Sequence, residues 1–130
     1  MKPIASDERR VANVKTAEYV EWINRDGSDS GTHILQLDDK LPKGVGFHVY
    51  RMDPGTASEP HEHTEDEQFL VIEGELVDND GTVYSAGDLV WLKAGTQHVS
   101  HSPKGCLLAV HIGKAEASLS EESPVKSHHP

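Results

Sequence analysis

Between residues 42 and 113 the chain is broken by glycine or proline at short intervals: Pro42, Gly44, Gly46, Pro54, Gly55, Pro60, Gly74, Gly81, Gly87, Gly95, Pro103, Gly105 and Gly113. A globular helix runs for about 10–14 residues, and this punctuation leaves little room for one. The runs between the breaks have strand character instead. GFHVYRM alternates a face of Phe47, Val49 and Arg51 with one of His48, Tyr50 and Met52. QFLVI, TVYSA, LVWL and CLLAVHI are rich in β-branched, aromatic and other large apolar residues. In VDNDGTVY, Asp80-Gly81 offers the positive φ values of a tight turn, so the stretch reads as a β-hairpin. Short strands at this spacing, with no helical period between them, predict an all-β sandwich or barrel. QFLVI and CLLAV are apolar on both faces. Each therefore needs cover twice, once from a barrel interior and once from something outside it.

The flanks are more polar. Within the stretch from Met1 to about Gly31, TAEYVEWI fits a strand or a short helix and is read as a strand packed on the barrel edge. After Gly113, KAEASLSEESPVKSHHP has too few large apolar residues to offset the entropy of ordering it. The chain of 130 residues is about one domain. The expected division is an N-terminal extension over 1–30, a barrel over 31–112 and a flexible polar tail over 113–130. Twelve Lys and Arg against 22 Asp and Glu give a net charge of −10, which argues against a nucleic-acid backbone or an anionic membrane as partner. The apolar runs are too short to span a bilayer, and MKPIASDERR lacks the apolar segment of a signal peptide. The single cysteine, Cys106, excludes an internal disulfide and fits a reducing cytoplasm. Within GCLLAV it reads as a small buried hydrophobe.

The chemistry is concentrated in PHEHTEDEQFLVIEG, residues 60–74. Residues i and i+2 of a strand share a face, with Cα atoms ~6.5 Å apart. His61 and His63 can therefore converge on one ion at ~2.1 Å from each nitrogen. Glu67 has the same parity but would lie ~13 Å beyond His63 on an extended chain. It joins the pair only if Thr64-Glu65-Asp66 turns the chain back, and three polar residues between two strands suit such a turn. Glu62, Glu65 and Asp66 are then solvated turn residues. Two histidines and a carboxylate leave a first coordination shell incomplete. His98, just past the Gly95 turn that ends LVWL, is a candidate for the fourth place. His101 competes with it, and spacing alone does not choose.

Gly55, five residues, His61-x-His63, three residues, Glu67, six residues and Gly74 resembles the first motif of the cupin superfamily at every fixed position. Gly87, five residues, Lys93-Ala94-Gly95, two residues and His98 resembles the second. The second departs from the usual pattern in Lys93, where proline is usual, and in Ser102, where asparagine is common. Neither position is a ligand. The two motifs span residues 55–102, and the strand pattern extends the likeness over roughly 31–112. The resemblance implies an antiparallel jelly-roll barrel, with one divalent metal held by His61, His63, Glu67 and His98, often assembled as a homodimer. A finer likeness lies in YRMDPGT, GDLVWLKAGTQHVSHS and SPKGCLLAV, which are similar to the cupin domain of zinc-binding anti-sigma factors and its stand-alone small bacterial relatives. Those anti-sigma proteins carry an N-terminal helical domain with its own zinc ligands. Residues 1–30 hold no matching Cys/His cluster, so the sigma-binding role is not expected here.

Three histidines and a carboxylate suit Zn, Fe, Mn or Ni, with zinc or iron favoured. If positions on the ion stay open, the expected function is oxygenase or other Lewis-acid chemistry on a small oxygenated molecule. The alternatives are a non-catalytic metal-binding sensor or ligand-binding module, and a structural zinc barrel with a closed four-coordinate site. Phe69 and Trp91 read as core residues that could instead line a pocket beside Tyr50. Arg51 reads as a solvent-facing residue, with an anion clamp as its alternative. His33, His48 and His111 read as core or surface histidines. His128 and His129 near the C-terminus could bind metal adventitiously.

Overall fold

The computed structural model describes residues 1–114 together with 117 and 118. Beyond Lys114 and the pair 117–118, the tail expected over 113–130 lies outside the described residues. Among the described residues there is one 3-10 turn, Ser6–Glu8, and no α-helix, so none is long and apolar enough to cross a membrane. The strands are β1 (Val20–Ile23), β2 (Asp29–Leu35), β3 (Gly46–Met52), β4 (Thr56–Ala57), β5 (His61–Glu62), β6 (Glu67–Asp78), β7 (Val83–Ser85), β8 (Leu89–Leu92), β9 (Gln97–His98), β10 (Ser100–Ser102), β11 (Cys106–Ile112) and β12 (Ala117–Ser118). Three of the sequence runs coincide with whole strands: GFHVYRM with β3, LVWL with β8 and CLLAVHI with β11.

The main sheet runs β1-β2-β3-β11-β6-β10-β4, with β7 and β8 also paired to β6. A smaller sheet runs β12-β5-β9. All pairs are antiparallel, and the main sheet curls into the half-barrel of a jelly roll. Alternation along the strands sorts the side chains. His48 opposes Val110, which opposes Phe69, and all three are buried on the concave face. Met52, Val71, Leu76, Cys106, Leu108 and Ile112 complete that core. Val49, Ala109, Leu70 and Leu89 form a row on the convex face, beside a second row containing Phe47 and Trp91. Phe47, Leu89 and Trp91 are 67%, 76% and 57% exposed. Trp91 is therefore not the core residue its strand suggested. LVWL is apolar throughout, so its sequence does not say which pair faces in.

β6 is the longest strand and carries the bend of the barrel. Its ladder with β11 shifts between Leu107, opposite Glu73, and Leu108, opposite Val71, which leaves Ile72 as the extra residue of a bulge. Gly74 follows at φ 81°, and a Cβ there would sit 2.1 Å from the carbonyl oxygen of Gly105. Only glycine fits this contact without a shift. Past the bend, β6 pairs with β7 and β10. The turn into β7 is the expected hairpin with one difference. Within the turn Gly81 alone has positive φ, at 89°, and no non-glycine residue does among the described residues. The loop is thus the three-residue kind, a turn closed by one left-handed glycine.

Candidate metal centre

β5 and β9 lie side by side with His61 directly opposite His98. The pairing continues past both strands: the His63 amide donates to the Thr96 carbonyl (2.9 Å) and the Gly95 amide to the His63 carbonyl (2.8 Å). A bend at Thr64-Glu65 then reverses the chain, and Glu67 opens β6 beside the histidines. Asp66 anchors that bend. It accepts from the Ala94 amide at 2.8 Å and from Trp91 Nε1 at 3.3 Å. Glu62 accepts from Gln97 Nε2 at 2.8 Å. These two acids tie the His61 segment to the His98 segment and are more than solvated turn residues.

The outcome is a cluster of His61, His63, Glu67 and His98 in which one ligand atom from each lies within 4.8 Å of all the others. His101 is elsewhere, exposed on β10 opposite Ala57 and Val77. Each histidine of the cluster is oriented by its outer nitrogen. His61 Nδ1 faces the Glu59 carbonyl at 2.9 Å, and a carbonyl only accepts. His63 Nδ1 faces Thr96 Oγ1 at 2.7 Å, and that hydroxyl already donates its proton to the Lys93 carbonyl at 2.8 Å. His98 Nδ1 faces Asp78 Oδ1 at 3.0 Å. All three Nδ1 atoms therefore carry a proton, and in the neutral form of each ring, the form that ligates a metal, the Nε2 lone pair turns inward. This is how metal-ligating histidines are normally held.

The inward atoms repel one another unless something positive joins them. His98 Nε2 is 2.8 Å from His61 Nε2, and His63 Nε2 is 2.7 Å from Glu67 Oε1. Glu67 is 8% exposed and its Oε1 makes no hydrogen bond. A buried carboxylate oxygen without a donor is costly. Three convergent imidazole lone pairs and an anionic oxygen make a donor set for Zn, Fe, Mn or Ni, so these residues fit a divalent transition metal.

Asp78, at the far end of β6, was not legible as part of the site. Burial opposes its ionisation, but hydrogen bonds from His98, Ser100 and Tyr84 outweigh it and hold the carboxyl down to about 2. Tyr84 Oη donates to Oδ2 at 2.7 Å, and Ser100 Oγ donates to Oδ1. Burial and the Asp78 carboxylate together push the Tyr84 phenol well above its ordinary range. No spacing rule connects Asp78 to His98 or Thr96 to His63, because each meets its imidazole only through the barrel's curl. Ser100 carried a signal, two residues from His98 and so on the same face, as did Thr96 on the other side of it, although Thr96 meets His63.

A cavity of about 150 Å³ opens beside the cluster, with His61, Glu67 and His98 in its wall. Phe69 and Tyr50 line it as expected, but Trp91 does not, and Trp22 takes part instead. Arg51 is not in this wall either. It projects from the convex face, its guanidinium 4.4 Å from the centre of the Tyr19 ring, which holds the N-terminal segment against β3.

The chain matches the ChrR Cupin-like domain over residues 8–116. Among curated proteins none matches. Solved structures share the fold at low identity. The acetylacetone dioxygenase of Acinetobacter johnsonii is 13% identical over 99% of this chain and 88% of its own, with a TM-score of 0.69. A putative acetylacetone dioxygenase of Methylibium petroleiphilum is 10% identical over 98% and 91%, with a TM-score of 0.70. The complex of Rhodobacter sphaeroides SigE with the anti-sigma ChrR contains a chain 18% identical over 75% and 49%, with a TM-score of 0.56.

Proposed function

The chain belongs to the ChrR cupin-like family, and on that basis we propose that it binds a small oxygenated molecule at a single divalent metal held by His61, His63, Glu67 and His98. Zinc and iron are the favoured ions, with manganese and nickel as alternatives. A bound ion would supply Lewis acidity to an anionic oxygen, or, if redox-active, oxygenase chemistry. The protein's own part is to hold the three imidazoles in place through Glu59, Thr96 and Asp78, beside Glu67, and to exclude water around the guest. One observation carries this reading. The cluster forms part of the wall of a cavity whose lining also includes the apolar Phe69, Leu108 and Val110, whereas a purely structural zinc site needs no such space. The dioxygenase neighbours favour a carboxylate or diketone-like guest.

A second reading is favoured by the ChrR likeness: a non-catalytic sensor or ligand-binding module, with the same metal and the same guest but no turnover. A structural zinc barrel is the third. Sigma-factor binding is left out of the proposal. Residues 31–112 are taken as the barrel, 1–30 as the extension along its edge and 113–130 as a tail. The protein is proposed to be a cytoplasmic homodimer with no nucleic-acid or membrane partner.

Metal analysis of the purified full chain, carrying His128→Ala and His129→Ala to remove adventitious binding, tests the site. One ion per chain is expected, lost in His63→Ala and in His98→Ala. Full stoichiometry in both variants would remove the assignment. Titrating acetylacetone into zinc- and iron-loaded protein by calorimetry, with oxygen uptake followed in parallel, separates the readings. Binding with uptake supports the enzyme, and binding without uptake the sensor. No binding leaves the structural barrel.

A further inference from the structure

Among the described residues of the cavity wall, Trp22 alone comes from residues 1–30. It sits on β1, the edge strand of the main sheet, four places from β6 in the order β1-β2-β3-β11-β6. It shares a cavity with Glu67 only because the sheet curls back on itself. The register shows which way it faces. Trp22 opposes Thr32, Thr32 opposes Met52, and Met52 opposes Cys106. Thr32, Met52 and Cys106 are buried, so this row, with the indole at its end, belongs to the concave side. Two features set the ring in place. The β1–β2 ladder shifts between Trp22 and Ile23, an irregularity of the kind that re-aims a neighbouring side chain, and Ser30 Oγ donates to the Trp22 carbonyl there. Lys43 Nζ lies over the indole, 4.9 Å from the ring centre, and a cation so placed steadies the ring. Gly44, the next residue, is itself in the cavity wall. Trp22 is only half-buried, so the fixed indole still has surface to offer. Phe69, by contrast, is 3% exposed and packs edge-to-face on Tyr84 at 5.4 Å.

We propose that Trp22 makes the cavity selective for a guest with a flat, unsaturated body, which packs against the indole while its carboxylate or enolate oxygen meets the ion. The inference rests on the metal site proposed above and adds the character of the rest of the guest. Two π systems in offset or edge-to-face contact gain affinity beyond the area they bury. A saturated guest of the same size buries as much apolar surface and gains nothing of that kind. Burial and π contact therefore predict opposite orders for a matched pair. The saturated member is the more apolar, so burial alone favours it, and contact with the indole favours the flat one.

The test uses two matched pairs on zinc-loaded full-length protein: benzoate against cyclohexanecarboxylate, and sorbate against hexanoate. Calorimetry is expected to show the unsaturated member of at least one pair binding about two- to tenfold tighter than its partner. Trp22→Leu should abolish that preference with zinc content unchanged, and Trp22→Phe, which keeps an aromatic ring, should retain part of it. In the parent chain, with nothing substituted, the indole N–H resonance of Trp22 should move on adding the preferred probe, while that of Trp91 on the convex face stays. Saturated members that bind as tightly or more tightly in both pairs, no binding of any probe, a preference that survives in Trp22→Leu, or an unmoved Trp22 resonance each overturns the proposal. A chain that holds no zinc removes the metal reading as well, whereas a loaded chain without the preference removes this inference alone.

Discussion

Asp78 shows how much a single side chain outside the ligand set contributes. Its carboxylate fixes the tautomer and tilt of His98 and is itself fixed by Tyr84 and Ser100. Replacing it by asparagine keeps the shape and removes the charge. Metal affinity in Asp78→Asn is expected to fall by about 10- to 100-fold, read by competition with a chromogenic chelator, with the circular-dichroism spectrum unchanged. Tyr84→Phe should cost less, because Asp78 keeps two of its three donors. An Asp78→Asn protein that binds metal as the parent does would reduce this residue to a structural role. The contrast with the cluster is instructive for sequence reading. His61, His63 and Glu67 lie within seven residues, so strand parity and one turn were enough to group them. Asp78 and Thr96 sit in stretches that read as ordinary turn sequence, and only the folded barrel brings them to an imidazole. His98 was separable from His101 by resemblance to a motif, not by spacing.

At the scale of elements, the glycines differ in what they do, and the difference is measurable. Gly74 combines φ 81° with a neighbouring backbone oxygen where a Cβ would go, while Gly81 has φ 89° and open space around it. Gly81→Ala should cost about 1–2 kcal/mol for the left-handed backbone alone. Gly74→Ala adds the overlap with Gly105 and should cost about 3 kcal/mol or more. Urea unfolding of the two variants measures the gap, and equal losses would mean the bend at Ile72 absorbs a methyl group freely. The same glycine explains a limit of the sequence reading. QFLVI looked like a strand ended by Gly74, but the glycine bends β6 and does not stop it, so the strand continues to Asp78. β4, β5 and β9 are two residues each. They are strands by virtue of their partners, which no local pattern displays.

For the molecule as a whole, two demands follow from the curled sheet. The first is cover for its convex face, where Phe47, Leu70, Leu89 and Trp91 leave an apolar surface exposed. A second copy of the chain is the partner proposed for that face. Sedimentation at about micromolar concentration should give a dimer, and Phe47→Lys with Leu89→Lys should give a monomer that still holds its metal. A monomeric parent would end the proposal. The second demand concerns β6. From Glu67 to Asp78 is eleven steps, ~36 Å if the strand were straight. Yet Glu67 touches His63 and Asp78 touches His98, and those two rings are 4.7 Å apart. β6 is an arch whose two feet stand on the same spot, and an ion there would act as the tie between them. Removing it should slacken the arch, not the edge of the sheet. Chelated protein is therefore expected to exchange the amide hydrogens flanking Ile72 faster than loaded protein, while those of the β1–β2 ladder keep their rate. If both regions quicken together, the ion steadies the whole barrel and not this one strand.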